Sequence, residues 1–273
     1  MQITRRDLLG AIGIGTIGIG GVTLGRGSPG FTNYTYADNG DVDDRRLRVA
    51  WYEQYNGRFL ENQDGTTDPG LDDSLDPDSD PRYVTEAAAV TGASGPVIAV
   101  GDVVPGDSGT LVIGLEVTDE ADVVAEPLDI WGRATITGND ENGINGPEGA
   151  AGDASTTIGE LADDLTVELW RDGSPLGTCN GRKDVDESLG GPIVPRAPMS
   201  VAFGPSGTIS DPAGHKLLDG LSPGATRCIA FAWEFPWDTA TNRSQGDSIE
   251  FTLAFAGGPV GADSPFTNTG EDA

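Results

Sequence analysis

Apolar and polar positions alternate with a period of two in four segments, the spacing of a strand with one buried face. Leu47, Val49 and Trp51 share a face in LRVAWYEQY, with Arg48, Ala50 and Tyr52 on the other. Leu111, Ile113, Leu115 and Val117 alternate through TLVIGLEV, and Ile229, Phe231, Trp233 and Phe235 through RCIAFAWEF. Ile249, Phe251, Leu253 and Phe255 do the same in IEFTLAF, and LTVELW (165–170) is a shorter fifth case. Turn clusters separate them: Pro105-Gly106-Asp107, Asp172-Gly173, Ser222-Pro223-Gly224 and Gln245-Gly246-Asp247. Helical periodicity is scarce, and TTIGELADDL (156–165) predicts one short helix behind a threonine cap. No βαβ alternation runs along the chain. The pattern predicts an all-β protein, a single antiparallel jelly-roll-type β-sandwich over 47–273.

Two stretches interrupt the pattern. Residues 61–82 (ENQDGTTDPGLDDSLDPDSDPR) and 138–155 (GNDENGINGPEGAAGDAS) hold almost nothing to bury and read as long solvated loops of one domain. Asp72, Asp73, Asp76, Asp78 and Asp80 are weak calcium candidates, because hard cations take oxygen ligands. The EF-hand spacing, with its glycine and closing glutamate, is missing, so a plain acidic loop is the favoured reading. No other cofactor is indicated.

Charge narrows the function. The 273 residues carry 16 Lys+Arg against 44 Asp+Glu, a net charge of −28. So acidic a surface repels phosphate backbones and anionic headgroups, which argues against nucleic-acid or membrane-surface partners. With 37% hydrophobic residues the chain still has material for a core. Gly and Pro together make about a fifth of it, as many short strands joined by turns require. Acidic and lysine-poor, it has the composition of a halophile's protein.

The N-terminus reads as an export signal over residues 1–28. Arg5 and Arg6 precede an uncharged run from Leu8 to Gly25, the twin-arginine pattern, and a short membrane span is the competing reading. The Gly13-Ile-Gly15-Thr-Ile-Gly18 run follows no strand and is no dinucleotide site. Removing residues 1–28 takes away three arginines and one aspartate, leaving 13 cations against 43 acids and a net charge of −30. Residues 29–46 then form a flexible N-terminal segment. An exported chain with two cysteines, Cys179 and Cys228, points to a disulfide, with two buried thiols as the alternative. Asn33-Tyr-Thr35 and Asn242-Arg-Ser244 have the form of glycosylation acceptors.

Catalytic patterns are sparse. The single histidine, His215, stands in a polar loop, and there is no His-Glu-x-x-His. Gly106-Asp107-Ser108-Gly109 matches a serine-protease signature in letters only, since no histidine precedes it. No pair of carboxylates stands out for glycoside hydrolysis. An enzyme is not expected.

Several residues carry a resemblance. An aromatic-bearing start (Phe31, Tyr34, Tyr36) leads into an acidic segment, and Pro105-Gly106-Asp107 opens an apolar strand. Near the end stands CIAFAWEFPWDTATNRSQGDSIEFTLAF (228–255), with Phe235-Pro236-Trp237 and Gln245-Gly246-Asp247-Ser248. Together these resemble the TasA/camelysin family of exported filament proteins, particularly archaeal members with a SipW-type signal peptide. The match covers both ends and the 101–117 turn, while 120–225 matches poorly. The resemblance implies a jelly-roll sandwich whose subunits polymerise by donor-strand exchange into extracellular or biofilm-matrix filaments. Phe31, Tyr34 and Tyr36, extending to Leu47, Val49 and Trp51, are then the donor-strand candidates, and the partner is a second copy of the chain. A cell-surface carbohydrate- or calcium-binding module, with Trp170 and Trp237 as sugar platforms, is the alternative. The metalloprotease claim attached to camelysin-like names finds no zinc motif here.

Overall fold

The computed structural model describes residues 2–3, 31, 33–37, 45–60, 88–89, 96–101, 103–119, 126–173, 179–183, 185–205, 207, 209–238 and 241–267. Each alternating segment forms a strand, because its β-branched and aromatic residues fit a pleated surface with one face buried. The strands are β1 Gln2–Ile3, β2 Asn33–Ala37, β3 Arg45–Tyr55, β4 Arg58–Leu60, β5 Ala88–Ala89, β6 Val97–Gly101 and β7 Ser108–Asp119. They continue as β8 Leu128–Asp140, β9 Thr166–Asp172, β10 Val194–Pro198, β11 His215–Leu221, β12 Thr226–Glu234 and β13 Ser248–Pro259. Among the described residues four short helices sit in the connections: α1 Gly146–Ala151, α2 Leu161–Asp164, α3 Val185–Gly190 and α4 Met199–Ala202.

Two sheets result. One runs β1-β6-β13-β8-β11, the other β10-β9-β12-β7-β3-β2-β5 with β4 paired to β3. Neighbours are antiparallel except β1 against β6 and β2 against β5. The alternating positions meet between the sheets: Leu47, Val49, Trp51, Leu111, Ile113, Leu115, Val117, Phe231 and Phe251 belong to one buried core. Phe231 on β12 and Phe251 on β13 stand 5.3 Å apart, and Phe203 closes the group at 5.8 and 5.5 Å. The chain is an all-β, predominantly antiparallel sandwich.

A second, smaller apolar cluster covers the outer face of the larger sheet. Phe31, Tyr34, Ala50, Tyr52, Val112 and Cys228 form it, with Cys179 packed alongside. Gly114 makes the cluster possible, since a Cβ there would lie 2.4 Å from Cζ of Phe31. The two cysteines are joined, with Cα atoms 5.6 Å apart across 49 positions of sequence. The bridge pins the 179–183 segment to β12, and the Tyr52 hydroxyl donates to the Cys179 carbonyl at 2.8 Å. Replacing both cysteines with serine is expected to cost about 2–4 kcal/mol, read as a fall in denaturation midpoint. An unchanged midpoint would mean the loop is held by its other contacts.

Two expectations need correction. Residues 138–155 are mostly exposed, as expected, but they are not a plain loop: they complete β8, form α1 and bury the side chains of Glu141, Glu148 and Asp153. The helix expected over 156–165 shortens to α2, and no threonine caps it. Asp247 takes that place from the far end of the chain, accepting the amides of Glu160 and Leu161 at 2.7 and 3.2 Å. Its carboxylate fits there because residue 159 is glycine, where a Cβ would lie 2.8 Å from Oδ2.

Candidate metal centre

Beyond Asp140 the chain reverses through Asn142 and Gly143, both with positive φ (55° and 94°), and Glu141 turns into the protein instead of out to solvent. Asn145 then starts α1 with a reciprocal cap: its side chain accepts the Glu148 amide at 3.1 Å, and Glu148 Oε2 accepts the Asn145 amide. This box fixes Glu148 with its second oxygen pointing inward. After the helix, Asp153 Oδ1 accepts the Ser155 amide at 2.9 Å, leaving Oδ2 facing the same interior.

The opposite wall is the turn before β13. Asn142 Nδ2 donates to the Gly246 carbonyl at 3.0 Å and to Ser248 Oγ at 2.9 Å, and Asn145 Nδ2 donates to the Gln245 carbonyl. These bonds bring Asp247 against Glu141 and Glu148. Acceptor atoms of Glu141, Glu148 and Asp247 lie within 4.8 Å of one another, and so do those of Glu141, Asp153 and Glu160.

Glu141, Glu148 and Asp247 are at most 1% exposed and Asp153 is 7% exposed. Six carboxylate oxygens of this cluster are buried and meet no donor among the described residues: both of Glu141, Oε1 of Glu148, Oδ2 of Asp153, Oε2 of Glu160 and Oδ1 of Asp247. Arg243, half exposed, reaches Glu160 Oε1 at 3.4 Å and Asp153 Oδ1 at 4.0 Å. Burial first, and then the carboxylates of Asp247, Asp153, Glu148 and Glu160, push Glu141 up to about 7. Asp247 is pushed up to about 6 by burial, with the amides of Glu160 and Leu161 pulling the other way. Glu160 is raised by burial and by Asp153, offset in part by Arg243. Such a set of groups can share protons or hold a hard cation.

No family model matches the sequence, and no curated protein matches it at a significant level.

The sequence-predicted residues scatter around this centre. Phe31 and Tyr34 are buried in the outer cluster and Tyr36 packs against it, while Leu47, Val49 and Trp51 lie in the sandwich core on β3, a strand paired on both sides. Cys179 and Cys228 join as a disulfide. Asn33 lies in β2, and Asn242 is exposed in a single 3₁₀ turn. Gly106-Asp107 forms a turn into β7, and His215 begins β11. Trp170 is buried, whereas Trp237 is 79% exposed beside Gly106. Arg5 and Arg6, the calcium candidates Asp72, Asp73, Asp76, Asp78 and Asp80, and the whole 61–82 loop lie outside the described residues, as does the leader apart from Gln2 and Ile3.

The five clustered carboxylates escape a reading of local sequence. The one local signal is Asn145-Gly-Pro-Glu148, a capping box with proline at the helix start, which marks 138–155 as structured. Asp247 carries no local mark, since Gln-Gly-Asp reads only as a turn.

Proposed function

We propose that the chain is an exported structural subunit that polymerises into extracellular filaments by passing its N-terminal strand to a second copy. The observation that supports this reading best is the seat of β2. This strand has five residues, one long neighbour (β3) and a two-residue neighbour (β5) on its other edge. Its Tyr34 and the adjacent Phe31 bury their rings outside the main core, with Phe31 seated in the notch over Gly114. An aromatic peg in a glycine notch, plus edge hydrogen bonds, is a contact that a neighbour's segment can reproduce in the same register. A further feature agrees with it. Among the described residues the outer edge of β6 meets Gln2–Ile3, within the leader expected to be removed, and an uncovered edge accepts a strand. Head-to-tail contacts of this kind extend without closing. The jelly-roll strand order implied by the family resemblance belongs to the same proposal.

Subunits with a net charge near −30 repel one another in dilute buffer, and molar salt shortens the screening length to about 3 Å. Filaments are therefore expected in molar salt and few or none in dilute buffer, as seen by negative-stain electron microscopy. Deleting residues 29–46 is expected to abolish them while circular dichroism shows a folded sandwich. Monomers at every salt concentration, or filaments that survive the deletion, would overturn the reading.

A second reading, a carbohydrate-binding surface module, has one observation in its favour: the exposed ring of Trp237. Glycan titration that raises the melting temperature, and loses that effect in Trp237→Ala, would support it.

A further inference from the structure

We infer that Glu141, Glu148, Asp153, Glu160 and Asp247 form a calcium site that ties the 141–164 segment to the turn before β13. The inference does not depend on filament assembly.

The first argument is the state of the oxygens. A carboxylate removed from water without a partner is strongly penalised, and proteins answer that penalty with a hydrogen bond, a proton or a cation. Glu141 is 1% exposed and neither of its oxygens meets a donor among the described residues. Four more carboxylates each hold one unpartnered oxygen beside it, Glu148 and Asp247 in one triad with Glu141, Asp153 and Glu160 in a second. The remaining oxygens of Glu148, Asp153 and Asp247 are already used by backbone amides, and that of Glu160 by Arg243. Each of these four side chains is thus oriented by one oxygen and leaves the other unpartnered. Proteins build metal-ligand shells in this way, with outer hydrogen bonds that fix the ligands.

The donor set selects the ion. Six oxygens with no nitrogen or sulfur exclude a soft or borderline metal as the natural occupant. Calcium takes about 6–8 oxygens at roughly 2.3–2.6 Å, so ligands on opposite sides of one ion stand about 5 Å apart. The two overlapping triads, each within 4.8 Å and sharing Glu141, match that span. Magnesium prefers a smaller octahedral shell and keeps several of its waters, so five converging carboxylates suit it less well. Charge points the same way: Arg243 is the one cation paired to these carboxylates among the described residues, and it lies at the rim.

The competing arrangement is proton sharing, for example between Asp153 and Glu160. The two differ in what calcium does. The purified protein, stripped with EDTA and held in molar KCl so that surface charge is screened, is titrated with CaCl2 and in parallel with MgCl2. Calcium is expected to raise the melting temperature by roughly 5–10 °C at saturation, with magnesium far less effective. Isothermal titration or terbium luminescence is expected to count one or two tight ions per chain. The double replacement Glu141→Gln with Asp247→Asn should lose the calcium response and, in EDTA, melt no lower than the parent, because it removes repulsion. Glu148→Gln alone gives a milder version should the double variant not fold, with calcium affinity reduced at least tenfold. No tight ion on the parent protein, an equal response to magnesium, or an undiminished calcium response in the variants would overturn the site.

Discussion

Replacing Phe231 with alanine is expected to destabilise the protein by about 3–5 kcal/mol. Phe231 is 1% exposed on β12, the strand held between β7 and β9, and register sets it opposite Leu111 on one side and Leu169 on the other. Its ring faces Phe251 of the other sheet and stacks on Phe203, the residue that ends α4, so it ties the two sheets and this segment together. Truncation leaves a void bounded by rigid strands, and strands cannot collapse inward without giving up ladder hydrogen bonds. Typical stability is about 5–15 kcal/mol, so the loss is a large part of the whole. Denaturant unfolding of parent and variant measures it. Phe231→Leu, which keeps most of the volume, should cost markedly less. A loss under about 1 kcal/mol for alanine would mean that the sheets do not pack at this point.

Replacing Arg48 with methionine is expected to cost about 3–5 kcal/mol, and adding Glu116→Leu should recover most of that loss. Arg48 and Glu116 stand directly opposite on β3 and β7, are 2% and 6% exposed, and form an ion pair on the outer face of the larger sheet. Removing the cation leaves a carboxylate buried with its charge uncompensated, and this penalty dominates the single variant. Removing both charges replaces the pair with apolar packing, which buried pairs often tolerate. The surface pair Arg196–Glu234, with half-exposed side chains, provides the contrast. Breaking it should cost less than about 1 kcal/mol and nothing in molar salt, while the Arg48 effect should persist there. Melting temperatures of the four variants of a double-mutant cycle, in dilute and molar KCl, decide the matter. A single variant as mild as Arg196→Met would show that water reaches Arg48.

Both variants lie where the sequence was most readable. Alternation in 47–51, 111–117, 229–235 and 249–255 placed every named apolar residue in the common core, because a period of two leaves no freedom about which face is buried. The same reasoning assigned Arg48, Ala50 and Tyr52 to the other face. It did not say that this face would also be covered. That depends on Phe31 and Tyr34 arriving on β2 and on the disulfide drawing the 179–183 segment down, contacts between parts of the chain far apart in sequence.

The candidate metal centre was legible only in part. The sequence of 138–155 is polar, glycine-rich and acidic, and local composition of that kind normally means solvent exposure. Most of the stretch is indeed exposed, but composition misled for Glu141, Glu148 and Asp153, because burial of a carboxylate depends on what stands opposite, and here that includes Asp247, about a hundred residues further along. By itself the sequence determined the sandwich, the inward face of each long strand and the acidic surface, because these follow from local periodicity and from composition. The tertiary structure alone decided that four of the many acids are drawn out of solvent, with a half-buried Glu160 beside them, because only the closure of β8 against β13 brings the two ends of that cluster together.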